Sequence, residues 1–207
     1  RDSIAPPNVV LNTIVAEAFK EACDELEKAE DFSLAVHDLI KKNFTEHQRI
    51  VFNGNGYSQE WVEEAERRGL PNLTCMVEAV DTLTSDKAVE LFEKFGVFTK
   101  AELESRQEIK YETYSKAINI EAKTMLDIAG KQIIPAVIKY TKNLADAINA
   151  IVAAGVLDVD VQTELLQQTS QLLKETRAAM ENLKTVSEKA HDMEDGRDKA
   201  YFYRRQV

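Results

Sequence analysis

The sequence is poor in the residues that interrupt helices: across 207 residues it carries only seven glycines and four prolines. Such a composition excludes Gly/Pro-rich disorder and collagen-like repeats, and it suits an ordered, helix-rich protein. Cysteine is scarce too. Cys23 and Cys75 stand in no metal-binding or redox spacing, so a zinc module or a disulfide scaffold is excluded and two free thiols of a reducing compartment are expected. No apolar run approaches the ~20 residues that a membrane span needs. The charged and apolar regions of a secretory signal are missing as well. Positive charge is in deficit, 26 Lys and Arg against 36 Asp and Glu, for a formal charge of −10. An acidic chain repels nucleic acid and anionic lipid, so neither is an expected partner. A cytoplasmic location follows as the expectation. The chain starts at Arg1 and stops at Val207, just after "KAYFYRRQV". Both ends read as cuts, and the chain reads as a fragment of a longer protein.

What the sequence does contain is helix punctuation. "SIAPPNVVLNTIVAEAF" places the Pro6–Pro7 pair before Asn8, which reads as an N-cap. Leu11, Val15, Ala18, Ala22, Leu26 and Ala29 then repeat at spacings of four and three, an apolar stripe on an amphipathic helix. A shorter helix is expected from Ser33 to about Lys42, with Leu34, Leu39 and Ile40 inward. Arg49 to Phe52 has the β-branched and aromatic character of a brief strand. Ser58 caps a helix carrying Trp61, Val62 and Ala65, which Gly69 stops and Pro71 follows. Residues 70–84 read as irregular. Helix signals resume at Thr84 and Ser85 and stop at Gly96, and Thr99 with Glu102 forms a capping box for the next helix.

That next helix has an 11-residue repeat. Tyr111, Ala122, Ile133 and Leu144 form one row; Tyr114, Met125, Ala136 and Ala147 a second; Ile118, Ala129, Tyr140 and Ile151 a third. Eleven residues in three turns lie close to a relaxed α-helix. Unbroken to Ala154, it would be on the order of 80 Å long, with a kink expected at Gly130 and Pro135. Gly155 ends it. A last long helix keeps a heptad rhythm through Leu165, Thr169, Leu172, Thr176, Ala179, Leu183, Val186 and Ala190, widened by Leu166, Leu173 and Met180. The short connection makes an antiparallel hairpin the default. The fold class is mainly α: a helical bundle with a long antiparallel hairpin and room for one or two very short strands. Three segments are expected: 1–30, a helix; 31–99, short helices and loops; 100–207, the hairpin and the start of a final helix.

One stretch invites a chemical reading. In "IVFNGNGYSQEW" a strand-like run, two glycines and a helix start follow in the order of phosphate-binding loops. The dinucleotide fingerprint needs a third glycine, however, where this chain has Gln59, and no Gly-Lys-Ser/Thr follows. Glu60, Glu63 and Glu64 open the helix and would repel a phosphate. The favoured reading of Asn53-Gly54-Asn55-Gly56 is a tight corner whose glycines serve the backbone. His37, His47 and His191 share no i,i+4 spacing, so no metal-binding helix face is present, and no nucleophile elbow occurs. No catalytic, cofactor-binding or metal-ligating residue is assigned.

Three segments resemble the C-terminal region of type III glutamine synthetase: "SIAPPNVVLNTIVAEAF", "HQRIVFNGNGYSQEWVEEAERRGLPNL" and "LFEKFGVFTKAELESRQEIKYETYSKAINIEAKTMLDIAGKQIIPAV". The resemblance covers residues 3 to 150 well, and from 151 to 195 it lies in the helical pattern. It implies that residues 1–30 close a catalytic domain. It also implies a parent enzyme that ligates ammonia to glutamate with ATP and Mg²⁺ or Mn²⁺, whose metal and phosphate groups lie upstream of Arg1. This chain would then be non-catalytic. Its implied partners are its own catalytic domain and neighbouring subunits of a homo-oligomer. The alternative is a stand-alone helical interaction module.

Overall fold

The computed structural model describes residues 3–156 and 158–207. It is 80% helical, with no strand or sheet among the described residues, so the chain is mainly α as expected. Two compact units divide it, Arg1–Gln107 and Glu108–Val207.

The first unit is built from short helices with individual start signals. Helix α1 spans Ala5–Leu26 with Pro6 and Pro7 in its first turn. Proline suits that turn because the amide it lacks would have no intrahelical partner there. Asn8 is therefore not the cap: it lies inside α1, its N–H bonded to the Ile4 carbonyl at 3.2 Å. Helix α2 spans Phe32–Glu46, capped by Asp31, whose side chain accepts from Leu34 N–H at 3.1 Å. Helix α3, Gln59–Arg67, starts at Ser58 as expected, and Gly69 closes it at φ 70°. The segment read as irregular holds α4, Met76–Val80, and a 3-10 turn, Asp81–Thr84. A helix of five residues is too short to show a period, yet Val77 and Val80 are core residues. Helix α5, Asp86–Lys94, is capped by Ser85.

The strand expected at Arg49–Phe52 is absent. Gln48–Ile50 form a 3-10 turn, and Val51 after it is extended but pairs with no strand. β-branched composition without a partner strand does not make a sheet.

The core of this unit gathers Ala65, Val77, Val80, Phe92 and Leu103, the last only 1% exposed. Polar contacts join its helices. Lys94 on α5 meets Glu17 on α1 at 2.5 Å, and Lys42 on α2 meets Glu25 on α1 at 3.2 Å. Gln107 donates to the Val80 carbonyl at 3.1 Å and the Thr84 hydroxyl at 3.0 Å. The stripe expected to bury on α1 does not all turn inward. Leu11 and Val15 of that stripe are exposed, as is Phe19 beside it, while Thr13 is buried with its hydroxyl donating to the Val9 carbonyl at 2.8 Å. On α2, Leu34 and Ile40 also face out, and Ala35, Val36 and Leu39 are the half-buried positions. Periodicity reveals that a stripe exists, not what covers it.

Helix α6 spans Lys100–Ile128 and opens on the expected capping box: Thr99 N–H donates to Glu102 at 2.8 Å, and Glu102 N–H donates to the Thr99 hydroxyl at 3.3 Å. A π-turn, Ala129–Ile133, leads without a break into α7, Ile134–Ala153, so one helix of 54 residues results. In the second unit α7 packs along α8, Asp160–His191, and α9, Arg197–Gln206, packs on α8.

The π-turn changes the repeat. Before it, the inward side of α6 runs through Tyr111, Ser115, Ile118, Ala122, Leu126 and Ala129, with 111/122, 115/126 and 118/129 each eleven apart. After it, Ile134, Val137, Thr141, Leu144, Ile148 and Ile151 alternate spacings of three and four, a heptad. From Ala129 to Ile134 the step is five, and the Ile134 N–H bonds the Ala129 carbonyl, five residues back. One extra residue in that turn swings the buried face into a new register. The expected kink is thus a π-turn. Not all of the 11-residue rows hold: Met125, before the turn, is 63% exposed, and Ile133 and Tyr140, in and after it, are 50% and 47% exposed. Pro135 has no N–H for the Lys131 carbonyl, so an ordinary α-turn was already one bond short there.

Along α8 the inward positions are Leu166, Thr169, Leu173, Met180, Leu183, Ser187 and Ala190. Leu166, Leu173 and Met180, read as the edge of the stripe, are part of its centre. Leu165 and Leu172 face outward.

Candidate functional site

The glycine corner is held from both sides. Phe52 stacks on Trp61 of α3 with ring centroids 4.3 Å apart and planes 25° off parallel. The Arg68 guanidinium lies 5.7 Å from the Trp61 ring centre and donates to the carbonyls of Val51 at 2.8 Å and Arg49 at 3.2 Å. Glu64 accepts from Arg67 and from Arg68, and these two guanidinium bonds lower its carboxyl from 4.5 to about 2. One arginine therefore fixes the 3-10 turn, the aromatic stack and the end of α3.

The two glycines have different roles. A Cβ on Gly54 would lie 2.5 Å from the tip of the Phe52 ring, so only hydrogen lets that ring fold over the backbone onto Trp61. Gly56 has open space where a Cβ would sit and is not among the positive-φ residues. The corner's requirement is close approach at Gly54; the backbone role expected of Gly56 is absent.

A phosphate loop presents free amides to its ligand. Here two of the amides that lead into α3 turn inward instead: Tyr57 N–H donates to the Asn55 side chain at 3.0 Å and Ser58 N–H to the Asn55 carbonyl at 3.1 Å. The Ser58 hydroxyl also donates to that carbonyl and accepts from Trp61 N–H at α3. Asn55 thus does the work an anion would do, and Glu60 sits in the first turn of α3. Beside the corner lies a shallow apolar recess of about 220 Å³, lined by Asn43, Phe44, His47, Ile50 and Val51. His47 is the C-cap of α2, and His37 pairs with its neighbour Asp38 at 3.2 Å. Among the described residues no three His, Cys, Asp or Glu side chains gather where they could hold a metal ion, and Cys23 and Cys75 are free thiols. No described helix is long and apolar enough to cross a membrane.

The corner, the capping box and the long helix all fall in one stretch that matches a family model. Residues 35–152 match the glutamine synthetase C-terminal domain. The chain is 40% identical over 148 residues to the type-3 glutamine synthetase of Dictyostelium discoideum, covering 70% of this chain and 20% of that protein. To a glutamine synthetase of Butyrivibrio fibrisolvens it is 36% identical over 171 residues, covering 81% of this chain and 24% of that protein. To one of Bacteroides fragilis it is 26% identical over 196 residues, covering 91% and 27%. The chain thus spans about a fifth to a quarter of the curated relatives it matches. With its knitted glycine corner, boxed long helix and a family match over more than half its length, the chain belongs to the glutamine synthetase C-terminal domain family.

Proposed function

We propose that this chain is a non-catalytic helical region of a glutamine synthetase, and that it supports assembly of the enzyme's oligomer in the cytoplasm. The parent reaction would join ammonia to glutamate with ATP and Mg²⁺ or Mn²⁺, and the groups holding those ligands would lie outside this chain. The family match carries the parent reaction. The observation carrying the structural role is the outer face of α1 and α2. Leu11, Val15 and Phe19 on α1, with Phe32 and Phe44 on α2, are 54–69% exposed. Leu11, Val15 and Phe19 follow one another at i,i+4 on α1, and an exposed apolar row of that kind favours a contact with another protein surface. The catalytic part of the same polypeptide and neighbouring subunits are the partners this reading assigns to it.

The test is made in the full-length protein. Val15→Glu with Phe19→Glu places two charges on the α1 face; Val152→Glu with Val161→Glu does the same at the hairpin tip, where those valines are 43% and 66% exposed. Ile148 and Ile151 are unsuitable, since both belong to the heptad facing α8. Light scattering is expected to report a smaller particle for at least one pair with helicity intact. An unchanged oligomer at low micromolar concentration in both would refute the assembly role. The isolated chain is expected to make no glutamine from glutamate, ammonia and ATP; turnover above a protein-free control would overturn the non-catalytic reading.

A further inference from the structure

The corner before α3 holds two Asn-Gly pairs in succession, Asn53-Gly54 and Asn55-Gly56, and all four residues are exposed. An asparagine followed by glycine can close on itself. The glycine nitrogen attacks the side-chain amide carbon, and no Cβ on the attacking residue stands in the way. Closure needs a side chain free to swing over its own peptide bond, and water must reach the product. Two identical dipeptides, two residues apart, are therefore separated by their surroundings alone.

Those surroundings differ. Asn55 is held at three points: its side-chain oxygen accepts from Tyr57 N–H at 3.0 Å, and its carbonyl accepts from Ser58 N–H at 3.1 Å and from the Ser58 hydroxyl at 2.8 Å. To close a ring, Asn55 has to give up the first bond and disturb the other two, because that carbonyl belongs to the peptide bond whose nitrogen attacks. The Asn53 side chain has no hydrogen bond among the described residues. What depends on the Asn53 backbone is packing. The Phe52 ring lies where a Gly54 Cβ would stand, and from there it stacks on Trp61 of α3.

The geometry points to Asn53 as a site of spontaneous deamidation that switches the corner from a stacked to an unstacked form. The Gly54 nitrogen bonds to Asn53 Cγ, the Cγ–Nδ2 bond breaks, and ammonia leaves with the Gly54 amide hydrogen. The product is a cyclic imide, which water then opens. Opening at the side-chain carbonyl restores the ordinary backbone with aspartate at position 53. Opening at the main-chain carbonyl leaves an isoaspartyl link, whose backbone runs through the side chain and is longer by a methylene. No electrons are exchanged. The longer link between Phe52 and Gly54 moves the glycine from beneath the ring, and the stack at 4.3 Å opens. Asn55 keeps its three bonds, so the turn into α3 survives the change.

Peptide mapping by mass spectrometry tests this on the full chain, kept for days in mildly alkaline buffer beside a copy kept in guanidinium chloride. In the denaturant both pairs should convert at similar rates. In the folded chain Asn53 should convert to a mixture of isoaspartate and aspartate, with Asn55 slower by about tenfold or more. Trp61 is the chain's single tryptophan, so its emission reports the stack and should move to the red in step with isoaspartate at position 53. Asn53→Ser, at an exposed position whose side chain makes no bond, blocks the ring and should hold the emission constant through the same incubation. Asn55 converting as fast as Asn53 in the folded chain would overturn the proposal, as would a folded chain in which neither converts while the denatured copy reacts. So would an emission drift that Asn53→Ser does not stop, or a complete conversion that leaves the emission unmoved.

Discussion

The two units stand up by different means. In the first, order is particular: Arg68 ties two carbonyls seventeen and nineteen residues away, Gln107 reaches back to Val80 and Thr84, and Phe52 covers a bare glycine to stack on Trp61. In the second, order is periodic: α7 and α8 face each other through positions repeating every three and four, most of them only half-buried. Particular contacts concentrate stability in a few side chains. Periodic contacts spread it, and make register the vulnerable quantity.

The largest expected effect comes from removing one of the concentrated contacts. Phe92 is 2% exposed, and Phe92→Ala should cost about 3–5 kcal/mol in denaturant unfolding, whereas Leu166→Ala on the half-buried face of α8 should cost less than half of that. Equal losses would erase the contrast. Register provides the next test. Deleting Gln132 inside the π-turn shortens the step from Ala129 to Ile134 to four, which an α-turn accommodates. Deleting Lys142 within α7 instead rotates the remaining heptad by about 100°. The first deletion should lower melting by less than the second, because it keeps the buried face in register although Pro135 then sits in an α-turn one bond short; the reverse order would mean that the π-turn is not a register device.

Glycine sharpens the comparison within the first unit. Gly54→Ala should cost about 1–3 kcal/mol, because the Phe52 ring must leave its stack, while Gly56→Ala should stay within about 0.5 kcal/mol. The smallest effect is acid sensitivity. Glu64 is held from 4.5 down to about 2 by Arg67 and Arg68, so its contribution is complete above pH 4.5 and is lost as the pH falls towards 2. Glu64→Gln should flatten that part of the stability–pH curve; an unaltered curve would show that the guanidinium bonds contribute nothing to folding.

Local chemistry was legible in the chain. Ser58, Ser85 and the Thr99–Glu102 box start helices where their side-chain oxygens can take orphan amides, and Gly69, Gly96 and Gly155 end them at positive φ. The α4 turn was not legible, because five residues hold no period. The strand expected at Arg49 failed because strandhood requires a partner elsewhere in the chain. The ranking of the two Asn-Gly pairs was silent as well. Asn53 and Asn55 read alike, and only the turn at Tyr57 and Ser58 sets them apart.

The sequence by itself determined that the chain is helical, where most helices begin and end, and that its long helices carry apolar stripes, since capping and periodicity act over a few residues along one backbone. The tertiary structure decided which face of each stripe is covered, that a π-turn reconciles the two repeats, and that Gly54 rather than Gly56 is constrained. Those depend on what another segment places opposite, and a residue's own neighbours in the chain do not carry that information.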